Sequence, residues 1–129
     1  NYLLGMQALE LAGASAERKQ QYLEESLYYL VLHEMGHTLG LNHNMKASQL
    51  HLPKDLHNKE LTQSVGLVGS VMDYPAVNIH PDQNKQGQYF TTKPGPYDMW
   101  AIEFGYSPAL TDAAAEEARW QCGAAAPGP

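Results

Sequence analysis

The sequence has little of what several classes of protein require. Its 129 residues include one cysteine, Cys122, so no disulfide within the chain can brace the fold. The longest apolar run is only a handful of residues, which excludes a membrane-spanning helix. Basic residues are scarce, with 8 Lys and Arg against 14 Asp and Glu. The resulting net charge of −6 argues against nucleic acid or an anionic membrane as the main partner.

The remaining composition is that of one small globular domain with a modest core. Hydrophobic residues make up 43% and charged residues 17%, which excludes a disordered tail and a coiled coil. The chain begins at Asn1, without a signal-peptide pattern, and ends in Gly-Ala-Ala-Ala-Pro-Gly-Pro. We therefore expect it to be a fragment of a longer protein.

Capping signals and apolar spacing predict a mainly α fold with short strands and irregular loops. The predicted helices span residues 2–12, 16–39, 96–104 and 112–121. The second has an N-cap at Ser15 and a stop at Gly40. Four of its apolar residues are expected to face the core: Leu23, Leu27, Leu30 and Val31. Between the helices we expect a polar loop with at most one helical turn, a short extended piece with a tight turn, and an irregular segment, at 44–64, 65–74 and 75–95 respectively.

The end of the second predicted helix has metal-ligand spacing. Residues 33–43 read H-E-M-G-H-T-L-G-L-N-H. His33 and His37 are four residues apart, so they lie on one helix face about 6 Å apart along the axis. Two imidazoles at that spacing can share one Zn²⁺ at about 2.1 Å each. Glu34 projects about 100° away, so it is placed to reach a metal-bound water rather than to be a ligand.

A catalytic zinc needs a third protein ligand and one open position. His43 is six residues after His37, too far along the axis if the helix continued. Gly40 removes this difficulty, because glycine adopts left-handed backbone angles and lets the chain turn back. We therefore expect His33, His37 and His43 to bind one Zn²⁺.

Together with a second motif, these residues resemble a known family. Residues 70–75, S-V-M-D-Y-P, are similar to the Met-turn of astacin-like and serralysin-like zinc peptidases, which are metzincins. The resemblance implies that Met72 forms an apolar floor under the histidines without binding the metal. It implies that Tyr74 ligates zinc or stabilises an oxyanion. Without the zinc motif, Met72 would be read as a core methionine and Tyr74 as a packed turn aromatic.

A third motif extends the resemblance along most of the chain. Residues 95–106, G-P-Y-D-M-W-A-I-E-F-G-Y, are similar to the C-terminal helix of matrixins and serralysins. The combination, over about 27–106, most resembles large bacterial Met-zincin-like proteins. We accordingly expect residues 1–106 to form a zinc-binding catalytic region and 107–129 a C-terminal helix and flexible tail. The resemblance implies the C-terminal part of an α+β zincin domain without its upstream sheet, in a secreted, periplasmic or cell-surface protein.

The function implied by the resemblance is zinc-dependent cleavage of a peptide or protein substrate, with Glu34 as the general base. Three alternatives remain open. The chain could be an inactive zinc-binding module, or a partial domain that lacks the substrate groove and self-associates. It could also be a plain helical interaction domain whose zinc motif is accidental.

The other polar residues carry weaker expectations. Three further histidines in polar segments are expected to be solvated: His51, His57 and His80. Asp73 and Asp98 are expected to make structural hydrogen bonds or caps, and either could orient a zinc ligand.

Overall fold

The computed structural model describes the backbone of residues 2–124 and the side chains of residues 2–119; Cys122 and most of the predicted tail therefore lie outside the described side chains. Five α-helices follow one another: α1 (Tyr2–Leu11), α2 (Ala16–Thr38), α3 (Lys59–Val65), α4 (Pro96–Tyr106) and α5 (Ala113–Ala124). Three short 3₁₀ turns lie between them, at Ala47–Gln49, Pro53–Asp55 and Gln83–Lys85. The mainly helical class predicted from the sequence is confirmed. No helix within 2–124 is long and apolar enough to cross a membrane.

The long helix α2 begins and ends close to where its sequence signals indicate. The Ser15 side chain accepts a hydrogen bond from the Arg18 N–H at 3.3 Å, which satisfies one of the free donors of the first turn. Glu17 lies in that turn, where the helix dipole favours a negative charge. Hydrogen bonds from its own backbone N–H and from Ser15 lower the pKa of Glu17. Local chemistry therefore accounts for the start of α2.

The segment 44–74 differs from the sequence prediction. The expected loop contains α3 up to residue 64. The N-cap of α3 is Asn58, whose side chain accepts a hydrogen bond from the Leu61 N–H at 3.2 Å. Its only buried residue is Thr62, so apolar periodicity gave no signal for it. The extended piece predicted for 65–74 does not form a strand, and no strand occurs within residues 2–124. Gly69 instead makes isolated backbone bonds, its N–H to Ala47 and its C=O from Tyr97.

The core is small and aromatic. Its buried apolar cluster consists of Leu9, Tyr22, Tyr89 and Phe90. The buried carboxylate of Glu25, on α2, accepts the N–H groups of Tyr89 and Phe90 at 2.5 and 3.2 Å. Residues 89–90 do not belong to a strand, so the Glu25 carboxylate satisfies these two buried backbone donors. Residues 89–90 are thereby held against α2.

The prediction of which α2 residues face this core is wrong. Leu27, Leu30 and Val31 are each more than half exposed, and Leu23 is half-buried. The residues that α2 buries are instead Tyr22, Glu25, His33 and Gly36. Both sets repeat with helical spacing, so periodicity alone could not choose between two neighbouring stripes. The exposed stripe leaves the expected self-association of the chain as a prediction.

Part of this exposed stripe lines an apolar groove with a volume of about 400 Å³. The groove is bounded by Tyr2, Leu23, Ser26, Leu27, Tyr29, Leu30, Tyr74, Pro75 and Phe90. It therefore runs along α2 from α1 to Tyr74, one of the residues singled out by the sequence.

Candidate metal centre

The C-terminus of α2 is closed by a glycine turn that reverses the chain. Gly40 has a φ of 85°, in the left-handed region. Its N–H donates to the His37 carbonyl, and the Leu41 N–H donates to the Gly36 carbonyl, both at 3.0 Å. This pair of bonds is the Schellman arrangement, which requires a left-handed residue just past the helix end. The turn brings His43 back beside α2, as the sequence predicted.

The structure brings three histidines together at this turn. The candidate ligand nitrogens of His33, His37 and His43 all lie within 4.8 Å of one another. The Nε2 atoms of His37 and His43 are 3.0 Å apart. Nitrogens that share a tetrahedral Zn²⁺ at about 2.0–2.1 Å lie roughly 3.3 Å from each other. Among the described side chains, no other group of three or more His, Cys, Asp or Glu residues is placed to hold a metal ion.

The Nδ1 hydrogen bonds of the two helix histidines set which ring nitrogen carries the lone pair. His33 is 1% exposed, and its Nδ1 donates to the Val71 carbonyl at 2.7 Å. His37 Nδ1 donates to the Leu41 carbonyl at 3.0 Å. Since a carbonyl only accepts, both neutral rings carry their proton on Nδ1 and a lone pair on Nε2.

The Nε2 atom of His33 is buried and has no hydrogen-bond partner in the described structure. A buried polar atom without a partner costs about 1–3 kcal/mol, so native proteins leave few of them. A metal ion on this lone pair would supply the missing partner. The donor set of three neutral imidazoles suits Zn²⁺, so the residues present fit the ion that the motif predicts.

Met72 lies against the segment of α2 that carries the histidines. Its side chain is fully buried. A Cβ atom at Gly36 would overlap the Met72 Sδ, so only glycine permits this close approach. The Asn44 N–H donates to the Met72 carbonyl at 3.0 Å, which ties the 70–74 turn to the chain directly after His43. The methionine and the third histidine are therefore held by the same local structure.

Two tyrosines flank the cluster. Tyr74 is half-exposed, and its ring centroid lies 4.7 Å from that of His33 and 4.7 Å from that of His43. The Tyr29 hydroxyl donates a hydrogen bond to the Asp73 carbonyl, and its ring centroid is 5.8 Å from that of His33. Burial, with smaller effects from Tyr74 and Asp73, raises the pKa of Tyr29 to about 12. Tyr29 therefore stays a hydrogen-bond donor. The sequence carried one signal for it, its position four residues before His33.

Glu34 does not belong to the three-histidine group. It follows His33 on α2, and its side chain is exposed. The direction in which Glu34 points and its role as a base stay predictions.

The two aspartates near the 70–74 turn both make structural hydrogen bonds. The Asp73 carboxylate accepts the Tyr74 N–H at 2.7 Å, and also accepts the Ser48 hydroxyl. Asp98 caps α4 by accepting the Gly95 N–H at 2.8 Å, and it reaches across to the Val71 N–H at 2.8 Å.

The histidines outside the cluster do not belong to the candidate metal group, and each is partly exposed to solvent. His51 is half-buried, and its Nε2 donates to the Gly66 carbonyl at 2.7 Å. His57 and His80 are half-buried with ring centroids 4.7 Å apart. His57 Nδ1 accepts the Gly87 N–H at 3.2 Å. Burial, and to a smaller extent His80, lower the pKa of His57. The polar sequence around these histidines gave no sign that they would be partly buried. The rings of His51 and His57 are held by hydrogen bonds to the backbone.

A three-histidine cluster on a glycine-terminated helix, backed by a buried methionine, defines a metallopeptidase-like zinc-binding domain. A family model described as Met-zincin matches residues 15–124 of the chain. This match includes the whole cluster and the 70–74 turn, and the chain therefore belongs to the Met-zincin family. The family predicted from the motifs is thus confirmed. No curated protein and no solved structure matches the chain.

Proposed function

We propose that this chain is the zinc-binding part of an endopeptidase that hydrolyses peptide bonds with Glu34 as the general base. The observation that carries the proposal is the buried His33 Nε2, which has no partner and faces a cluster of two further imidazoles. The Met-zincin family match supports it independently. His33, His37 and His43 hold the zinc, and three protein ligands leave one coordination position open.

Zinc bound there would lower the pKa of a water towards about 7 and would polarise the substrate carbonyl. Glu34 is adjacent to the first ligand but points about 100° away around the helix. Its exposed carboxylate accepts the proton of the attacking water and passes it to the leaving amine. This role requires a side chain that approaches the reacting atoms without occupying a ligand position.

Tyr74 and Met72 have different supporting roles. We assign Tyr74 the stabilisation of the developing oxyanion through its hydroxyl, and its exposed ring beside His33 and His43 supports this assignment. Met72 is buried against Gly36 and forms the Met-turn floor under the helix that carries the ligands. Neither role needs the tyrosine or the methionine to bind zinc.

The test separates zinc binding from hydrolysis. We expect Glu34→Gln in the full-length protein to retain one zinc per chain, measured by metal analysis, and to lose peptide hydrolysis by about 10²–10⁴. Glu24→Gln is the matched control, because Glu24 is an exposed glutamate on the same helix, away from the cluster. It should leave both quantities unchanged.

Three outcomes would change the proposal. Loss of zinc in Glu34→Gln would make Glu34 a ligand or a structural anchor. Activity within tenfold of wild type would remove it from the mechanism. Stoichiometric zinc with no hydrolysis by the wild type would leave an inactive zinc-binding module.

A further inference from the structure

A buried carboxylate connects the start of α4 to the 70–74 turn. Asp98 is 3% exposed and accepts three hydrogen bonds. One comes from the Ser70 hydroxyl, and the other two come from the N–H groups of Val71 and Gly95 at 2.8 Å each. Bonds to an ionised carboxylate are shorter and stronger than those between neutral groups. Residues 70 and 71 are therefore firmly held against α4.

Val71 is bonded on both sides, to Asp98 and to His33. Its N–H donates to the Asp98 carboxylate, and its carbonyl accepts His33 Nδ1 at 2.7 Å. A single residue of the turn thus joins a fixed carboxylate to a buried imidazole. These two groups belong to adjacent peptide planes, so the bond to Asp98 restrains the backbone directly before the carbonyl that His33 contacts.

We propose that Asp98 is a positioning residue for His33, acting through the backbone of Val71. By fixing the Val71 carbonyl, it keeps the His33 proton on Nδ1 and the lone pair on Nε2. The inference rests on the proposed zinc-binding role of His33, because a ligand histidine is oriented by the partner of its other nitrogen.

The same carboxylate also orders the next residue of the turn. Ser70 Oγ donates to Asp98 and accepts the Met72 N–H at 3.0 Å. Asp98 therefore fixes consecutive peptide groups at 70–72, and both His33 and Met72 depend on them. A cap of α4 would need only the bond from Gly95.

A purely structural role is the competing explanation, and the chain offers a matched control for it. Glu25 is also a buried carboxylate that accepts two backbone N–H groups, from Tyr89 and Phe90. Its hydrogen bonds join α2 to residues 89–90 and not to the 70–74 turn. Asp98→Ala and Asp98→Asn are therefore compared with Glu25→Ala and Glu25→Gln.

Three quantities are measured for each variant: zinc affinity by chelator competition, the thermal midpoint of the metal-free protein, and the His33 tautomer from ¹⁵N imidazole NMR. We expect Asp98→Ala to weaken zinc binding about tenfold or more and to reduce the population of the Nδ1–H form. Asp98→Asn retains an oxygen for the Val71 N–H, so its effects should be smaller. The Glu25 variants should lower the midpoint and leave zinc affinity and the tautomer unchanged.

The proposal is overturned if folded Asp98 variants keep wild-type zinc affinity and the wild-type tautomer. It is also overturned if the Glu25 variants lose as much zinc affinity. If Asp98→Ala does not fold, the milder Asp98→Asn decides. If the wild type binds no zinc, the proposed function fails, but the tautomer of the metal-free variants still tests Asp98.

Discussion

The three-histidine cluster and the His57–His80 pair differ in the backbone groups that their rings meet. In the cluster, His33 and His37 each place Nδ1 against a carbonyl oxygen, at 2.7 and 3.0 Å. In the pair, His57 Nδ1 accepts a backbone N–H, that of Gly87, at 3.2 Å. Both groups bring imidazole rings within 5 Å of each other, so proximity alone does not distinguish them.

The difference decides which nitrogen is free to bind a metal. A ring that donates from Nδ1 has its lone pair on Nε2, the nitrogen that faces the centre of the cluster. A neutral ring that accepts at Nδ1 must carry its proton on Nε2. His57 could bind a metal through Nε2 only by losing its bond from Gly87. The backbone around an imidazole thus selects between a ligand and a structural acceptor.

The largest expected effect is the loss of zinc affinity when a histidine of the cluster is removed, compared with removal of a histidine of the His57–His80 pair. His43→Ala should weaken zinc binding by more than the 10–100-fold that loss of an outer hydrogen-bond partner costs, because it removes a proposed ligand. His43 is exposed, so the fold should survive the change. His80→Ala is the control from the pair and should leave zinc affinity unchanged. Chelator competition on both variants measures the difference, and equal affinities would contradict our distinction between the two groups.

Glycines that pack closely in each region give an intermediate effect. A Cβ at Gly36 would overlap Met72 Sδ, and one at Gly87 would lie 2.8 Å from the His57 Cα. Gly36→Ala and Gly87→Ala should each lower the free energy of unfolding by about 1–3 kcal/mol, the usual cost of overpacking. Only Gly36→Ala should also weaken zinc binding, because it displaces Met72, which packs against the segment of α2 that carries the histidines.

The control for the Gly36→Ala and Gly87→Ala variants is Gly105→Ala. Its Cβ would meet nothing within 4 Å in α4, so this substitution should be neutral or slightly stabilising. Urea unfolding and zinc titration of the three variants measure both quantities. Weakened zinc binding in Gly87→Ala would show that the two regions are coupled.

The sequence predicted the parts of the candidate site that depend on local geometry. His33 and His37 share a helix face by spacing alone, and Gly40 ends that helix for a reason visible in one residue. The partner of His33 carried no such signal, because it is a backbone carbonyl 38 residues away in the chain. Which nitrogen of each ring carries the proton was hidden for the same reason.

The fold was less predictable where helices bury little. The residues around Thr62 form α3 although only that one side chain is buried. On α2, leucines with correct helical spacing are exposed, while Glu25 is buried because it satisfies backbone donors at 89–90. Apolar periodicity detects helices, but the choice of the buried face depends on residues far away in the sequence.

The smallest expected effect is a pH dependence that comes from His57. Burial, and secondarily His80, lower its pKa in the folded chain below the ordinary value of 6.5. The unfolded chain therefore takes up this proton first as the pH falls. His57 should not affect stability above about pH 6.5 and should reduce it as the pH drops from there through the folded-state pKa.

The variant that isolates this effect is His57→Asn, compared with wild type in metal-free buffer from pH 8 to pH 5. Both proteins share every other histidine, so the difference between their unfolding free energies reports His57 alone. We expect the wild type to lose more stability on acidification. His80→Asn should reduce the slope without removing it, because burial is the larger cause of the lowered pKa. Parallel pH profiles for wild type and His57→Asn would show that folding does not lower the pKa of His57.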